Sequence, residues 1–66
     1  MTLEKKIELL KAMEEHAFSM YDMHKADGEA EEARRYMREH IVFHTAIEIL
    51  ENDKFAGEMA EIFIGG

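Results

Sequence analysis

The sequence has no cysteine and no proline, and it has only four glycines among its 66 residues. Without cysteine the chain can form neither a disulfide nor a thiolate zinc site, which are two common supplements to a small core. A chain of this length buries only about 60% of the surface that it exposes when unfolded, so its stability is marginal. Histidine-based metal binding or association with another chain is therefore expected to contribute.

Basic residues are also scarce. Eight Lys and Arg stand against 15 Asp and Glu, which gives a formal net charge of −7. This charge repels phosphate backbones, so we do not expect general nucleic-acid binding. No apolar run approaches the ~18 residues of a membrane span, and the charged opening residues Glu4, Lys5 and Lys6 do not fit a signal peptide. We expect a cytoplasmic protein that does not contact a membrane.

The side chains that nucleophilic catalysis needs are nearly absent. Ser19 is the only serine and no motif surrounds it, there is no cysteine, and no glycine-rich loop precedes a helix to bind phosphates. We therefore expect a protein that is not an enzyme and that has no cofactor, with a bound metal ion as the one alternative.

Apolar residues recur at helical spacing along nearly the whole chain, and this pattern predicts an all-α fold. Gly28 is the only glycine before Gly57, so it is expected to end one long helix and to allow an antiparallel hairpin. Asn52-Asp53 is typical of a turn that precedes a further helix. The sequence predicts one small helical domain over residues 1–66, with helices over about 3–26, about 29–51 and about 53–63, and fraying at Gly65-Gly66.

The two long helices carry more apolar surface than one neighbouring helix can cover. Each has apolar residues beside its main stripe, outside the ~100° that a single partner occupies. These residues predict an oligomeric helical bundle, because burying them needs another surface. The alternative is that the third helix folds back over them. The predicted interface residues are Leu9, Met13, Met20, Val42 and Ile49.

The pair His40 and His44 has the i, i+4 spacing that places two imidazoles on one helix face, where a single metal ion can bridge them. In a hairpin that turns at Gly28, Glu14 lies opposite His40. These three residues predict a metal site with two histidines and one carboxylate. The alternative is that both histidines lie in the core and hydrogen-bond to Glu14.

The only dense basic cluster lies early in helix 2. Planar guanidinium groups, with an aromatic ring to stack on, are typical of sites that recognise a phosphate-bearing ligand. The alternative is a solvated face on which these arginines pair with neighbouring carboxylates. The predicted ligand-binding residues are Arg34, Arg35, Tyr36, Arg38 and Thr45.

Together these patterns favour a small, homo-oligomeric binding protein that captures a small anionic, nucleotide-like ligand at a surface between subunits. Its size and acidity are typical of phage-encoded inhibitors. Two other functions stay open. One is a protein–protein adaptor or inhibitor that uses the apolar helix edges, and the other is a metal-binding bundle centred on His40, His44 and Glu14.

Overall fold

A computed structural model describes residues 1–64, which form two antiparallel α-helices and no strand. Helix α1 spans Leu3–Ala26 and helix α2 spans Ala30–Ile64. The predicted all-α fold and the helical hairpin are confirmed. Gly65-Gly66, for which fraying was expected, lie outside the described residues.

Helix α1 begins with a side-chain cap. The hydroxyl oxygen of Thr2 accepts a hydrogen bond from the backbone N–H of Lys5 over 3.1 Å. This bond satisfies one of the N–H groups that have no partner within the helix. Glu4 lies in the same first turn, where a negative charge is favoured by the helix dipole.

The turn between the helices is built around Gly28. This residue has φ +76°, a left-handed conformation in which a Cβ atom is strained. The N–H of Glu29 donates to the carbonyl of His24 over 2.9 Å, and the N–H of Gly28 donates to that of Lys25 over 3.2 Å. These two bonds are those of a Schellman cap, which ends α1 and reverses the chain.

The structure corrects the predicted third helix. Among residues 1–64 there are only two helices, and α2 continues through Asn52-Asp53 without a break. Asn and Asp each cost a helix interior less than about 1 kcal/mol, which is too little to end a helix that neighbouring contacts support. Here those contacts come from α1, since Lys54 Nζ lies 3.3 Å from Glu4 Oε1. Gly57 is likewise accommodated within α2.

The core between the helices is very small. Only four residues in the described part of the chain are buried, and two of them are alanines. The least exposed of the four is Ala17, whose relative exposure is 1%. The other three are Ile7, Ala33 and Ile47. Each helix therefore packs against the other along one narrow stripe of side chains, and most of its circumference is exposed to solvent.

The hairpin is long and thin. Its Cα atoms extend over 56 × 16 × 14 Å, with a radius of gyration of 16.1 Å. A compact domain of this length would have a radius of gyration of about 11 Å. None of the helices in residues 1–64 combines the length and the apolar character needed to cross a membrane. The molecule is a single layer of two helices.

Candidate binding surfaces

One side of the hairpin, which we call the polar side, carries contacts between charged residues of the two helices. Nδ1 of His44 on α2 donates a hydrogen bond to Oε1 of Glu14 on α1 over 3.3 Å. The same carboxylate oxygen lies 3.8 Å from Nδ1 of His40. Further along this side, Lys11 Nζ lies 3.4 Å from Glu51 Oε1. The polar side is thus cross-linked by charges from both helices.

His44 lies between two carboxylates. Its Nδ1 faces Glu14, and its Nε2 lies 3.1 Å from Oε1 of Glu48. A neutral imidazole has one N–H and can donate to only one of these groups, whereas an imidazolium can donate to both. Both ring nitrogens of His44 are therefore occupied by partners from the protein itself.

The three residues predicted to bind a metal are brought together as the sequence indicated. Within residues 1–64, however, no group of three histidine, aspartate or glutamate side chains is arranged to hold a metal ion. Nδ1 of His40 is buried and has no hydrogen-bond partner. Its ring lies beside Phe18, with 5.4 Å between the ring centroids. The contact among Glu14, His40 and His44 is therefore a polar contact between the helices and does not have the arrangement of a metal site.

The predicted anion site is divided by the structure. Tyr36 points towards α1 and stacks on His24, with ring centroids 5.4 Å apart and planes 8° from parallel. Arg35 lies 3.9 Å from a carboxylate oxygen of Glu32 and 4.0 Å from one of Glu39. Arg35 nevertheless lines the same depression as Arg34 and Arg38, whereas Tyr36 does not.

Arg34 and Arg38 lie together. They are one helical turn apart and line a shallow, open depression on α2, which is also lined by Glu31, Glu32, Arg35 and Met37. Among residues 1–64 the guanidinium groups of Arg34 and Arg38 form no ion pair with a carboxylate. Thr45 lies two turns beyond Arg38 on the same face, but its hydroxyl donates to the carbonyl of Ile41 over 2.9 Å. The structure therefore brings the three predicted arginines to one depression and leaves Tyr36 and Thr45 outside it.

The opposite side of the hairpin has a groove between the two helices, which we call the lateral groove. Its floor is Ala17, and its walls are mostly apolar, with only His16 and Glu39 contributing polar atoms. No hydrogen bond or ion pair between the helices crosses it in the described residues. The lining residues are Leu9, Ala12, Met13, His16, Ala17, Glu39 and Phe43.

Two of the five predicted interface residues, Leu9 and Met13, line the lateral groove. Met20 is two turns beyond Met13, and Ile49 is two turns beyond Val42, so each pair shares a helix face. Val42 in turn lies one turn beyond Glu39 of the groove. Val42 is 63% exposed and Ile49 is 56% exposed, so this side carries large apolar side chains in solvent.

A second apolar surface was not recognised from the sequence. Helix α1 begins at Leu3, opposite Lys54, so the last two turns of α2 have no helix beside them. We call residues 58–64 the C-terminal extension. Phe63 and Ile64 in it are 78% and 86% exposed. The sequence predicted an amphipathic helix over these residues, and such a helix is expected to have its apolar face covered. In the structure no segment of α1 faces this part of α2, so the apolar face is exposed.

Comparisons with protein-family models, with curated proteins and with solved structures found no match to this chain.

Proposed function

We propose that this chain is a non-enzymatic, homo-oligomeric binding protein whose hairpin completes its fold against another copy. One observation carries the proposal. The chain exposes 5150 Å² of surface, whereas a compact monomer of its mass would expose only about 4300 Å². The excess of on the order of 800 Å² is close to what each partner buries in a stable protein–protein interface.

The architecture explains this excess. Stable domains are built from at least two packed layers of secondary structure, because a helix must bury its apolar stripe against another element. This hairpin is one layer with four buried residues. Large apolar side chains on both helices remain exposed, including Leu9 and Met13 on α1 and Val42 and Ile49 on α2. A second hairpin supplies the missing layer.

The proposal also accounts for the open character of the polar side. Acid–base catalysis needs a carboxylate or an imidazole placed next to a bound substrate. The carboxylates and imidazoles of the polar side instead contact one another around an open surface. This arrangement fits a role in binding better than a role in catalysis.

The dependence of the melting temperature on protein concentration tests the proposal. If folding is linked to association, the melting temperature rises with concentration by mass action. Circular dichroism at the helical minimum should therefore show later melting at a hundredfold higher concentration. A cooperative transition at one temperature across that range would contradict the proposal.

A second candidate function is the capture of a small anion by Arg34 and Arg38. The observation that favours it is that these two guanidinium groups are one turn apart and unpaired within the described residues, although carboxylates outnumber cations in the chain. Each can donate a bidentate pair of hydrogen bonds to a phosphate. A local site of this kind needs only local positive potential.

Adenosine monophosphate and inorganic phosphate serve as probes for this candidate. Either should raise the melting temperature of the wild type, and Arg38→Ala should abolish the shift while leaving the sedimentation mass unchanged. Lys6→Ala is the control, because it removes one positive charge from an exposed position on α1, outside the depression. A wild type that neither probe stabilises at millimolar concentration would contradict anion capture.

A further inference from the structure

We infer that the lateral groove and the helix faces beside it, with Val42 and Ile49, form the surface on which a second copy of this chain packs. The product is a four-helix bundle made of two hairpins. This inference rests on the proposed homo-oligomer and adds the location of its interface. The polar side and the C-terminal extension then remain outside the contact.

The groove has the form that helix packing requires. Its floor is the small side chain of Ala17, while Leu9, Met13 and Phe43 rise beside it. Large side chains next to an alanine leave a hole that a side chain of a facing helix can enter. Val42, one turn beyond Glu39 of the groove, and Ile49 are exposed on the adjoining face of α2 and can fill such holes in the partner. The surface thus carries both knobs and holes, as a self-complementary interface must.

The area available on this side agrees with a stable dimer. Helix α1 has 24 residues, so the part of the hairpin with two helices side by side is about 36 Å long and about 20 Å wide. This face offers on the order of 700 Å² per copy, against the ~800 Å² per partner of a standard interface. It also matches the surface that the chain exposes in excess of a compact monomer.

Charge favours this side over the polar side. In an interface between two identical surfaces, each charged residue lies on a patch that faces the same patch of the partner, which carries the same charge. The lateral groove has one carboxylate, Glu39, and one imidazole, His16, and Arg38 lies one turn before Val42 on the adjoining face. Pairing two polar sides would instead bring together Glu14, Glu48 and Glu51 from each copy, and like charges placed side by side disfavour association. The charges on the polar side already have partners within the hairpin.

The C-terminal extension is too small to hold the copies together alone. It is a single helix of two turns, about 10 Å long. Its exposed side chains, including Phe63 and Ile64, offer much less area than the paired helices do. The extension can add to an assembly but does not by itself supply a standard interface.

Two neighbouring substitutions test the location of the interface. Val42 lies on the groove side and Ile41, which is 54% exposed, points towards the polar side. Val42→Glu buries two charges in the proposed dimer and should raise its dissociation constant at least about 100-fold, the effect expected of an unpaired buried charge. Ile41→Glu, the matched control, should leave the sedimentation mass of the wild type unchanged. If Ile41→Glu dissociates the oligomer and Val42→Glu does not, the inference is overturned.

Thiol protection provides a second test that does not disturb folding. The chain has no cysteine, so each single substitution introduces one thiol. Ala12 lines the lateral groove, and the exposed Ile41 lies one turn before His44 of the polar side. Ala12→Cys should react with an aromatic disulfide reagent about fivefold or more slowly at concentrations where the chain is assembled, because the reagent must reach the thiol. Ile41→Cys should react at one rate throughout, and protection of Ile41→Cys with free reaction of Ala12→Cys would overturn the inference.

The outcomes separate this inference from the proposed function. A wild type that is monomeric and folded at every concentration overturns both. A wild-type oligomer that keeps its mass in Val42→Glu and leaves Ala12→Cys fully reactive retains the proposed function but overturns the lateral interface. If Val42→Glu unfolds, protection of Ala12→Cys alone decides, and its presence supports the lateral interface.

Discussion

Nδ1 of His44 donates a hydrogen bond to Oε1 of Glu14 over 3.3 Å, although thirty residues separate the two along the chain. The contact joins the two helices on the polar side. Glu14 is also the carboxylate nearest to the buried Nδ1 of His40. A single carboxylate of α1 thus lies within 4 Å of two imidazoles of α2 and accepts a hydrogen bond from one of them.

Replacing Glu14 is therefore expected to weaken the hairpin. Glu14→Ala should lower the free energy of unfolding by about 1 kcal/mol, since it removes the hydrogen bond between Glu14 and His44 that joins the two helices. Glu15→Ala is the control, because the neighbouring carboxylate makes no hydrogen bond or ion pair in the described residues and the change in helix propensity is the same. Urea unfolding at equal protein concentration measures both. Equal losses in the two variants would contradict the assigned contact.

The two internal glycines should respond to alanine in opposite directions. A Cβ atom on either would meet nothing within 4 Å, so space does not distinguish them. Gly57 lies within α2, and Gly57→Ala should stabilise the chain by about 1 kcal/mol through higher helix propensity. Gly28 has a left-handed backbone, and Gly28→Ala should destabilise by about 1 kcal/mol or more. Thermal melting distinguishes the signs, and a destabilising Gly57→Ala would argue for a break in α2 at this residue.

Because the core is small, a buried isoleucine and an exposed one should differ strongly in what they contribute to the free energy of unfolding. Ile47 is buried at 5% exposure, and Ile41 on the same helix is exposed. Ile47→Ala should cost about 3 kcal/mol through lost burial and the cavity left behind. Ile41→Ala should cost less than about 1 kcal/mol, as surface substitutions do. Denaturant unfolding measures both variants. Similar losses in the free energy of unfolding would show that Ile47 is not a core residue.

The two threonines provide a test of the N-terminal cap. Thr2→Ala removes the acceptor of the Lys5 N–H and should destabilise by about 1 kcal/mol. Thr45 bonds to the carbonyl of Ile41 inside α2. Thr45→Ala should be neutral or slightly stabilising, because alanine has the higher helix propensity. A melting temperature that is unchanged by Thr2→Ala would mean that the cap contributes nothing to stability.

Much of the hairpin could be predicted from the sequence because one residue controls its topology. With no proline and a single early glycine, the chain has one place to turn, and an antiparallel return from Gly28 brings Glu14 opposite His40. The approach of Glu14 to both His40 and His44 follows from that register and from the i, i+4 spacing of the two histidines.

The third helix was predicted wrongly because local signals at Asn52-Asp53 were given too much weight. The cost of these two residues in a helix is small, and the ion pair between Lys54 and Glu4 lies beyond them. Such a contact depends on how far α1 reaches along α2. A sequence pattern read one helix at a time does not contain that information.

The separation of Tyr36 from the arginine cluster also depends on the partner helix. Consecutive residues on a helix point about 100° apart, so Arg34 and Tyr36 cannot share one face. Which of them faces α1 is set by the rotation of α2 in the hairpin, where Tyr36 stacks on His24. The pair of Arg34 and Arg38 remains because four residues separate its members.

The mass of the wild-type chain in solution tests the central claim most directly. Sedimentation equilibrium at micromolar concentration should give at least twice the 7.7 kDa of one chain, because the exposed apolar surface of a single hairpin needs a second layer. A folded, helical species that sediments as one chain at every concentration would contradict the account.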